Sequence, residues 1–218
     1  MKILNLYACL GGNRYKWGDE HDVTAVEWDE ELARMYQERF PNDKVIVADA
    51  HQYLLDHYKE YDFIWSSPPC PTHSRVRISQ KNKNFYIPKY PDMTLYQQII
   101  FLEEHFDGKY VIENVIPYYD PLIEAQKRGR HLYWCNFILP VDIDRKESKG
   151  LISNAKEERQ KLCDLHDIKI EFLNTYKGKQ SKTKVIRNLV DYEVGKTILD
   201  TAMGIIRKKD EQQISFLE

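Results

Sequence analysis

Five short apolar runs punctuate the first half of the chain, and segments of helical period fill the gaps between them. The runs are "KILNLYA" (2–8), "VTAVEW" (23–28), "KVIVAD" (44–49), "YDFIWSS" (61–67) and "KYVIENV" (109–115). Uniformly apolar residues over strand length suit strands covered on both faces, and strands spaced by a helix run parallel through crossovers. In "WDEELARMYQERF", Leu32, Met35, Tyr36 and Phe40 fall on one stripe behind Asp29 as N-cap. "TLYQQIIFLEEHF" opens with Thr94 and Gln97 in capping-box spacing. The pattern predicts a doubly wound α/β sheet, which binds ligands at the carboxyl ends of its strands.

Composition limits what such a sheet can serve. The 218 residues, 42% hydrophobic and 30% charged, suffice for one core with a small appendage. No stretch approaches the roughly 18 to 20 apolar residues of a membrane span, and the opening "MKILNLYACLGG" runs into a glycine turn rather than a cleavage site. No membrane partner and a cytoplasmic location are expected. Cys9, Cys70, Cys135 and Cys163 are scattered without a Cys-x-x-Cys pair, which predicts reduced thiols and no metal. A net charge of −2 excludes a generic polyanion binder, so any contact with nucleic acid relies on local positive charge. We place a core at 1–135 and a charged, weakly periodic elaboration at 136–186 ending in "YKGKQSKTK". A helix returning to the core at 187–208 and a polar tail at 209–218 complete the chain.

Candidate functional residues gather at the predicted strand ends. Gly11 and Gly12 permit a tight turn and close backbone approach after the first strand. Glu27 ends the second, where a carboxylate can hold both hydroxyls of a ribose, and Asp49 ends the third. Trp28 beside Glu27 can stack on a purine or sit in the core. Cys70 ends the fourth strand behind two prolines that stiffen its turn. From Pro71 to Pro91 lie Arg75, Arg77, Lys81, Lys83 and Lys89 and no acid. Such surroundings favour a nucleophilic thiolate and a phosphate backbone; the alternative is an ordinary polar loop with an incidental cysteine. Glu113 ends the fifth strand, where a partly desolvated carboxyl beside a thiolate would hold its proton more tightly; a turn cap is its ordinary role. In "QKRGRHLYW", Arg128 and Arg130 alternate on a predicted extended segment and so share a face, from which they could brace the acid or contact a pyrimidine oxygen or phosphate.

The order and spacing of "LYACLGG", "EW", "AD", "PPC", "ENV", "QKRGR" and "RNLV" resemble the motif series of the cytosine-5 DNA methyltransferases, especially small phage-type members, from Leu4 to about Ala202. The resemblance implies a Rossmann-like fold binding S-adenosylmethionine, released as S-adenosylhomocysteine. Tyr7, Ala8, Leu10, Gly11 and Gly12 would line the cofactor, Glu27 would take its ribose and Trp28 its adenine. Asp49, Ala50 and Pro68 would complete the adenine side, and Asn188 and Val190 would return to the pocket. Cys70 matches the family's catalytic cysteine, Glu113 its ENV glutamate, and Arg128 and Arg130 its paired arginines. Ser74, Arg75, Arg77, Lys81, Lys83, Lys179, Lys182 and Lys184 are the expected contacts to nucleic acid. Three residues depart from the family pattern: Cys9 stands at a usual glycine, Pro71 at a usual glutamine, and His73 at an aromatic position. The recognition segment is also short, about fifty residues between Trp134 and Arg187.

The implied function is methyl transfer to carbon 5 of a flipped-out cytosine, as in phage and restriction–modification enzymes. DNA is the expected partner, and RNA the nearest alternative. A catalytically impaired binding module is a reading from another class, and transfer of a modified one-carbon group is not excluded by the motifs. A homodimer or an accessory protein is the expected source of any specificity the short segment cannot supply.

Overall fold

The structure is a computed structural model that describes residues 1–79, 81–82, 84, 86–143 and 155–205. The five apolar runs form β1 (Lys2–Leu6), β2 (Asp22–Glu27), β3 (Lys44–Val47), β4 (Phe63–Ser66) and β5 (Lys109–Val115), all parallel. Two further strands, β6 (Gln126–Arg128) and β7 (His131–Cys135), make a hairpin, with β7 antiparallel to β5. The sheet order is β3-β2-β1-β4-β5-β7-β6. Chain order reverses between β1 and β4, which opens a crevice at their carboxyl ends.

Helices cover both faces. α2 (Ala50–His57) and α4 (Thr94–His105) bring Leu54, Leu95, Ile99 and Leu102 against Leu4, Leu6, Ile64 and Ile112. α8 (Tyr192–Ala202) brings Val194, Ile198 and Leu199 against Ile3, Phe63, Trp65 and Val111 on the other side. The expected returning helix therefore completes the third layer. Its Gly195 lets it approach a 3-10 turn at Asn13–Lys16; a Cβ there would lie 2.3 Å from the Asn13 carbonyl oxygen.

α1 (Glu30–Arg39) starts as expected, with the Asp29 carboxylate accepting from the Glu31 and Leu32 amides. The capping box expected at Thr94 is absent. Asp92, two residues upstream, accepts from both the backbone amide and the hydroxyl of Thr94, so the threonine is a donor inside the helix and not its cap. A carboxylate is the stronger acceptor and captures that amide first.

Three further helices, α5 (Ala155–Leu165), α6 (Ile170–Asn174) and α7 (Lys182–Arg187), lie in the weakly periodic stretch. Their Leu162, Cys163, Leu173, Val185 and Ile186 share one core with Leu10, Leu32 and Met35. Tyr176 Oη donates to Asp29 at 2.6 Å, which ties these helices to the start of α1. A short α3 (Val76–Ser79) follows the Cys70 turn. The tail at 209–218 and Lys83 lie outside the described residues.

Candidate active site

The end of β1 is a strained turn. Tyr7 (φ 57°), Cys9 (φ 48°) and Gly11 (φ 68°) all occupy the left-handed region, which only glycine enters without steric penalty. The strain is held from outside. The Cys9 amide donates to Glu27 Oε2 at 2.8 Å, its Sγ lies 3.7 Å from the Val185 carbonyl, and the Gly11 amide returns to the Ala8 carbonyl at 2.8 Å. Gly12 faces Val190, whose carbonyl oxygen would stand 2.3 Å from any Cβ. The segment carrying Asn188, the C-cap of α7, and Val190 therefore lies against this turn.

Glu27 is fixed at the end of β2 by two backbone amides, from Cys9 and from Asp29 at 2.9 Å. Burial raises its pKa, and the amide bonds oppose that rise. The Trp28 amide adds a third backbone hydrogen bond to the same carboxylate. Trp28 beside it is 71% exposed, so its indole is not a core residue. Asp49 caps α2 by accepting from the Gln52 amide at 2.9 Å, and Ala50 behind it is buried.

Across the crevice, Tyr7 Oη accepts from Gln98 Nε2 at 2.7 Å. The same amide group lies 3.3 Å from His51, while its oxygen accepts from Ser66 at 2.6 Å. Burial pushes the Tyr7 hydroxyl up to about 12. Gln98 is fully buried in α4, and nothing in the helical pattern distinguished it from a core position.

Cys70 sits in a turn whose carbonyl accepts the amides of His73 and Ser74, each at 3.0 Å. Asn114 donates from its side chain to the Pro68 carbonyl at 2.9 Å, so the residue after Glu113 pins the proline turn to β5. Cys70 is thereby held beside Glu113, close enough for the two charges to oppose each other. The thiol is pushed up, first by burial and then by the Glu113 carboxylate. This corrects the expected thiolate-favouring surroundings. The opposing pull comes first from a backbone hydrogen bond at Cys70 itself and then from Lys184 on α7, and not from the basic loop. Arg75 Nε donates to the Pro117 carbonyl at 3.2 Å, and Arg77 donates to the Ile87 carbonyl at 2.7 Å while stacking on Tyr86. Arg75 is thus directed to the segment after β5, and Arg77 into the loop's own backbone.

The paired arginines do not share an extended segment. Gly129 takes φ 56° and makes the β6–β7 turn, which leaves Arg128 at the end of one strand and Arg130 exposed in the turn. Arg128 donates to the carbonyls of Leu139 and Pro140. Of the described residues, His131 comes to ion-pair distance of the acid, with Nε2 3.4 Å from Glu113 Oε1. The register explains why. Glu113 pairs directly with Tyr133, which makes His131 its diagonal neighbour on the same face.

The other expected positions are more dispersed. Lys81 and Lys179 are exposed, Lys182 donates to the Asn174 carbonyl at 2.6 Å, and Ser74 forms an isolated bridge with Pro117. His73 is buried, with Nδ1 2.5 Å from Tyr119 Oη. Among the described residues no group of three His, Cys, Asp or Glu side chains could hold a metal, and no helix is long and apolar enough to cross a membrane.

No curated protein matches the chain. Over 95% of this chain and 99% of the other, the fold superposes on the methyltransferase EhMeth of Entamoeba histolytica, with TM-score 0.57 and 10% identity. A DNMT2 variant from Spodoptera frugiperda aligns at 23% identity and TM-score 0.37 over 52% of this chain, which spans only 35% of that protein's length. A TehB-like SAM-dependent methyltransferase from Corynebacterium glutamicum aligns at 19% identity and TM-score 0.34, over 52% of this chain and 54% of the other. The profile of the C-5 cytosine-specific DNA methylases matches residues 1–117, more than half the sequence, and the chain belongs to that family.

Proposed function

We propose that the chain transfers a methyl group from S-adenosylmethionine to carbon 5 of a cytosine in DNA, through a covalent adduct of Cys70 with carbon 6. The observation that carries this reading is the pairing of a half-buried thiol with a buried carboxyl on the same sheet rim, held together by the Asn114 side chain.

The residues at the β1 and β2 ends fit the cofactor. Backbone amides hold the Glu27 carboxylate at the end of β2, where it can accept a ribose hydroxyl, Trp28 offers an open indole face, and Gly12 leaves no room for a side chain beside Val190. Tyr7, Asp49 and the Asn188–Val190 segment complete the cradle. When bound, S-adenosylmethionine supplies an electrophilic methyl group on a sulfonium. The chain's task is to make carbon 5 nucleophilic, because an aromatic carbon does not attack unaided.

Cys70 and Glu113 divide that task. Negative charge on Glu113 opposes ionisation of Cys70, which therefore holds its proton more firmly than a free thiol. Movement of that proton to the carboxyl frees the thiolate to form a bond to carbon 6 and lets Glu113 donate to N3 as negative charge develops there. After carbon 5 has taken the methyl group, loss of its proton to a base, with water as the candidate, expels the thiolate. The N3 proton then returns to Glu113. The target ring must leave the stack for sulfur to reach it, which assigns closure over the base to the loop after Cys70.

Nucleoside mass spectrometry after incubation with S-adenosylmethionine and either duplex DNA or RNA tests the reading. 5-Methylcytosine in DNA is expected, together with a covalent complex on 5-fluorocytosine DNA that is lost in Cys70→Ala. Product in RNA alone transfers the substrate class to RNA. Absence of product from both, with cofactor bound, leaves a binding module.

A further inference from the structure

We infer that His131 is a positioning residue for the Glu113 carboxyl, holding one oxygen so that the acid's proton is carried on the other. The inference rests on the proposed cytosine-5 chemistry and deepens it. Glu113 Oε1 faces His131 Nε2 at 3.4 Å, and the carboxylate is buried while the imidazole is 30% exposed along its side chain. A neutral imidazole with its proton on Nε2 offers that oxygen a donor. A protonated carboxyl has one hydroxyl and one carbonyl oxygen, and the oxygen facing a donor serves as the carbonyl. The hydroxyl is thereby directed away from the histidine, toward whatever the acid protonates.

The same contact sets a limit on acidity. Histidine is the side chain that gains charge between about pH 5 and 8. An imidazolium beside Glu113 stabilises the carboxylate and so opposes the protonated form that the reaction needs. The charged and titratable groups around the pair come from four elements. Arg128 is the cross-strand partner of His131 on β6, with its guanidinium turned to Leu139 and Pro140. Tyr133 on β7 has its ring 6.4 Å from the imidazole, and Arg130 adjoins His131 in the turn. Cys70 faces Glu113 from the β4 side, with Lys184 of α7 acting on the same thiol. Of these, His131 is the group placed at ion-pair distance from the carboxylate by the sheet register itself.

Two measurements test the inference, and the first does not depend on activity. Exchange of the His131 Nε2 proton with water is followed by NMR at pH 8 in the wild-type chain and in Glu113→Ala; it should be at least about threefold slower in wild type. Equal exchange overturns the pairing, whatever the enzyme does. The second is the single-turnover methylation rate of wild type divided by that of His131→Gln, from pH 6 to pH 8. The glutamine keeps a donor and gains no charge, and the titration of Cys70, common to both, cancels in the ratio. The ratio should fall at least about threefold toward pH 6, while His131→Phe, which lacks a donor, should be about tenfold or more slower at pH 8. A ratio independent of pH overturns the role of His131 with the methylation chemistry intact. If the phenylalanine variant does not fold, the glutamine ratio alone decides. Absence of product from wild type removes the proposed function, and the positioning role falls with it even where the exchange rates differ.

Discussion

Cys70 is governed by two neighbours of opposite effect. Burial and the Glu113 carboxylate raise its thiol, and Lys184 lowers it. Removing the carboxylate charge in Glu113→Gln should therefore lower the Cys70 pKa and speed its alkylation by iodoacetamide at pH 8 by about 2- to 10-fold. The same variant should slow single-turnover methylation about 100-fold or more, since its amide cannot deliver a proton. Slower alkylation in the variant would mean that Glu113 does not act on the thiol in this way. Cys9 offers a second residue test. It combines a φ of 48° with burial in the core shared by α5, α6 and α7, so Cys9→Gly removes backbone strain and packing together. Each is about 1–2 kcal/mol, and the denaturation midpoint should stay within about 1 kcal/mol of wild type. The candidate nucleophile and acid were legible in the sequence because Cys70 follows the fourth apolar run and Glu113 interrupts the fifth, although β5 runs on through Glu113 to Val115. The electrostatics were not, because a list of basic residues cannot show that Arg75 and Arg77 turn back onto the Pro117 and Ile87 carbonyls.

Elements built from local signals appear where the chain says they should. Asp29 caps α1, and four of the five parallel strands fall within their apolar runs, with β2 starting one residue earlier at Asp22. Two features depended on tertiary choices. Asp92 displaced Thr94 as the acceptor at the start of α4, and Gly129 turned a presumed extended stretch into a hairpin, so that Arg128 and Arg130 parted and His131 met Glu113. Cross-strand register is a property of paired segments and has no signature in either one alone. The contact between α8 and the turn at Asn13–Lys16 makes the clearest element-scale prediction. Gly195→Ala would place a methyl 2.3 Å from a backbone oxygen, and Trp17 Nε1 also donates to the Gly195 carbonyl at 3.1 Å. Neither group yields cheaply, so the variant should lose about 1–3 kcal/mol in urea denaturation. A neutral result would mean that α8 can shift as a unit.

At the scale of the whole molecule, local positive charge has to recruit nucleic acid for a chain of net charge −2. Lys81, Lys179 and Lys184 are exposed and suited to phosphates, which position a protein without reading its sequence. Binding should weaken steeply with salt, and bisulfite sequencing of a treated plasmid should show a short or relaxed site of about two to four base pairs. A strict site of six or more base pairs, read without a partner, would refute this. The helices of the segment expected to do the reading also share a core with Leu10, Leu32 and Met35, near the other end of the sequence. That junction has a consequence for synthesis. As the chain leaves the ribosome, the apolar side of α1 has no cover until Leu162 to Leu189 have followed it, so the turn after β1 cannot set while most of the polypeptide is still being made. Birth order and folding order are thus opposed at this site: what emerges first is completed last, and a nascent chain stalled near residue 140 would carry the methylase motifs with a sticky flank in place of a finished pocket.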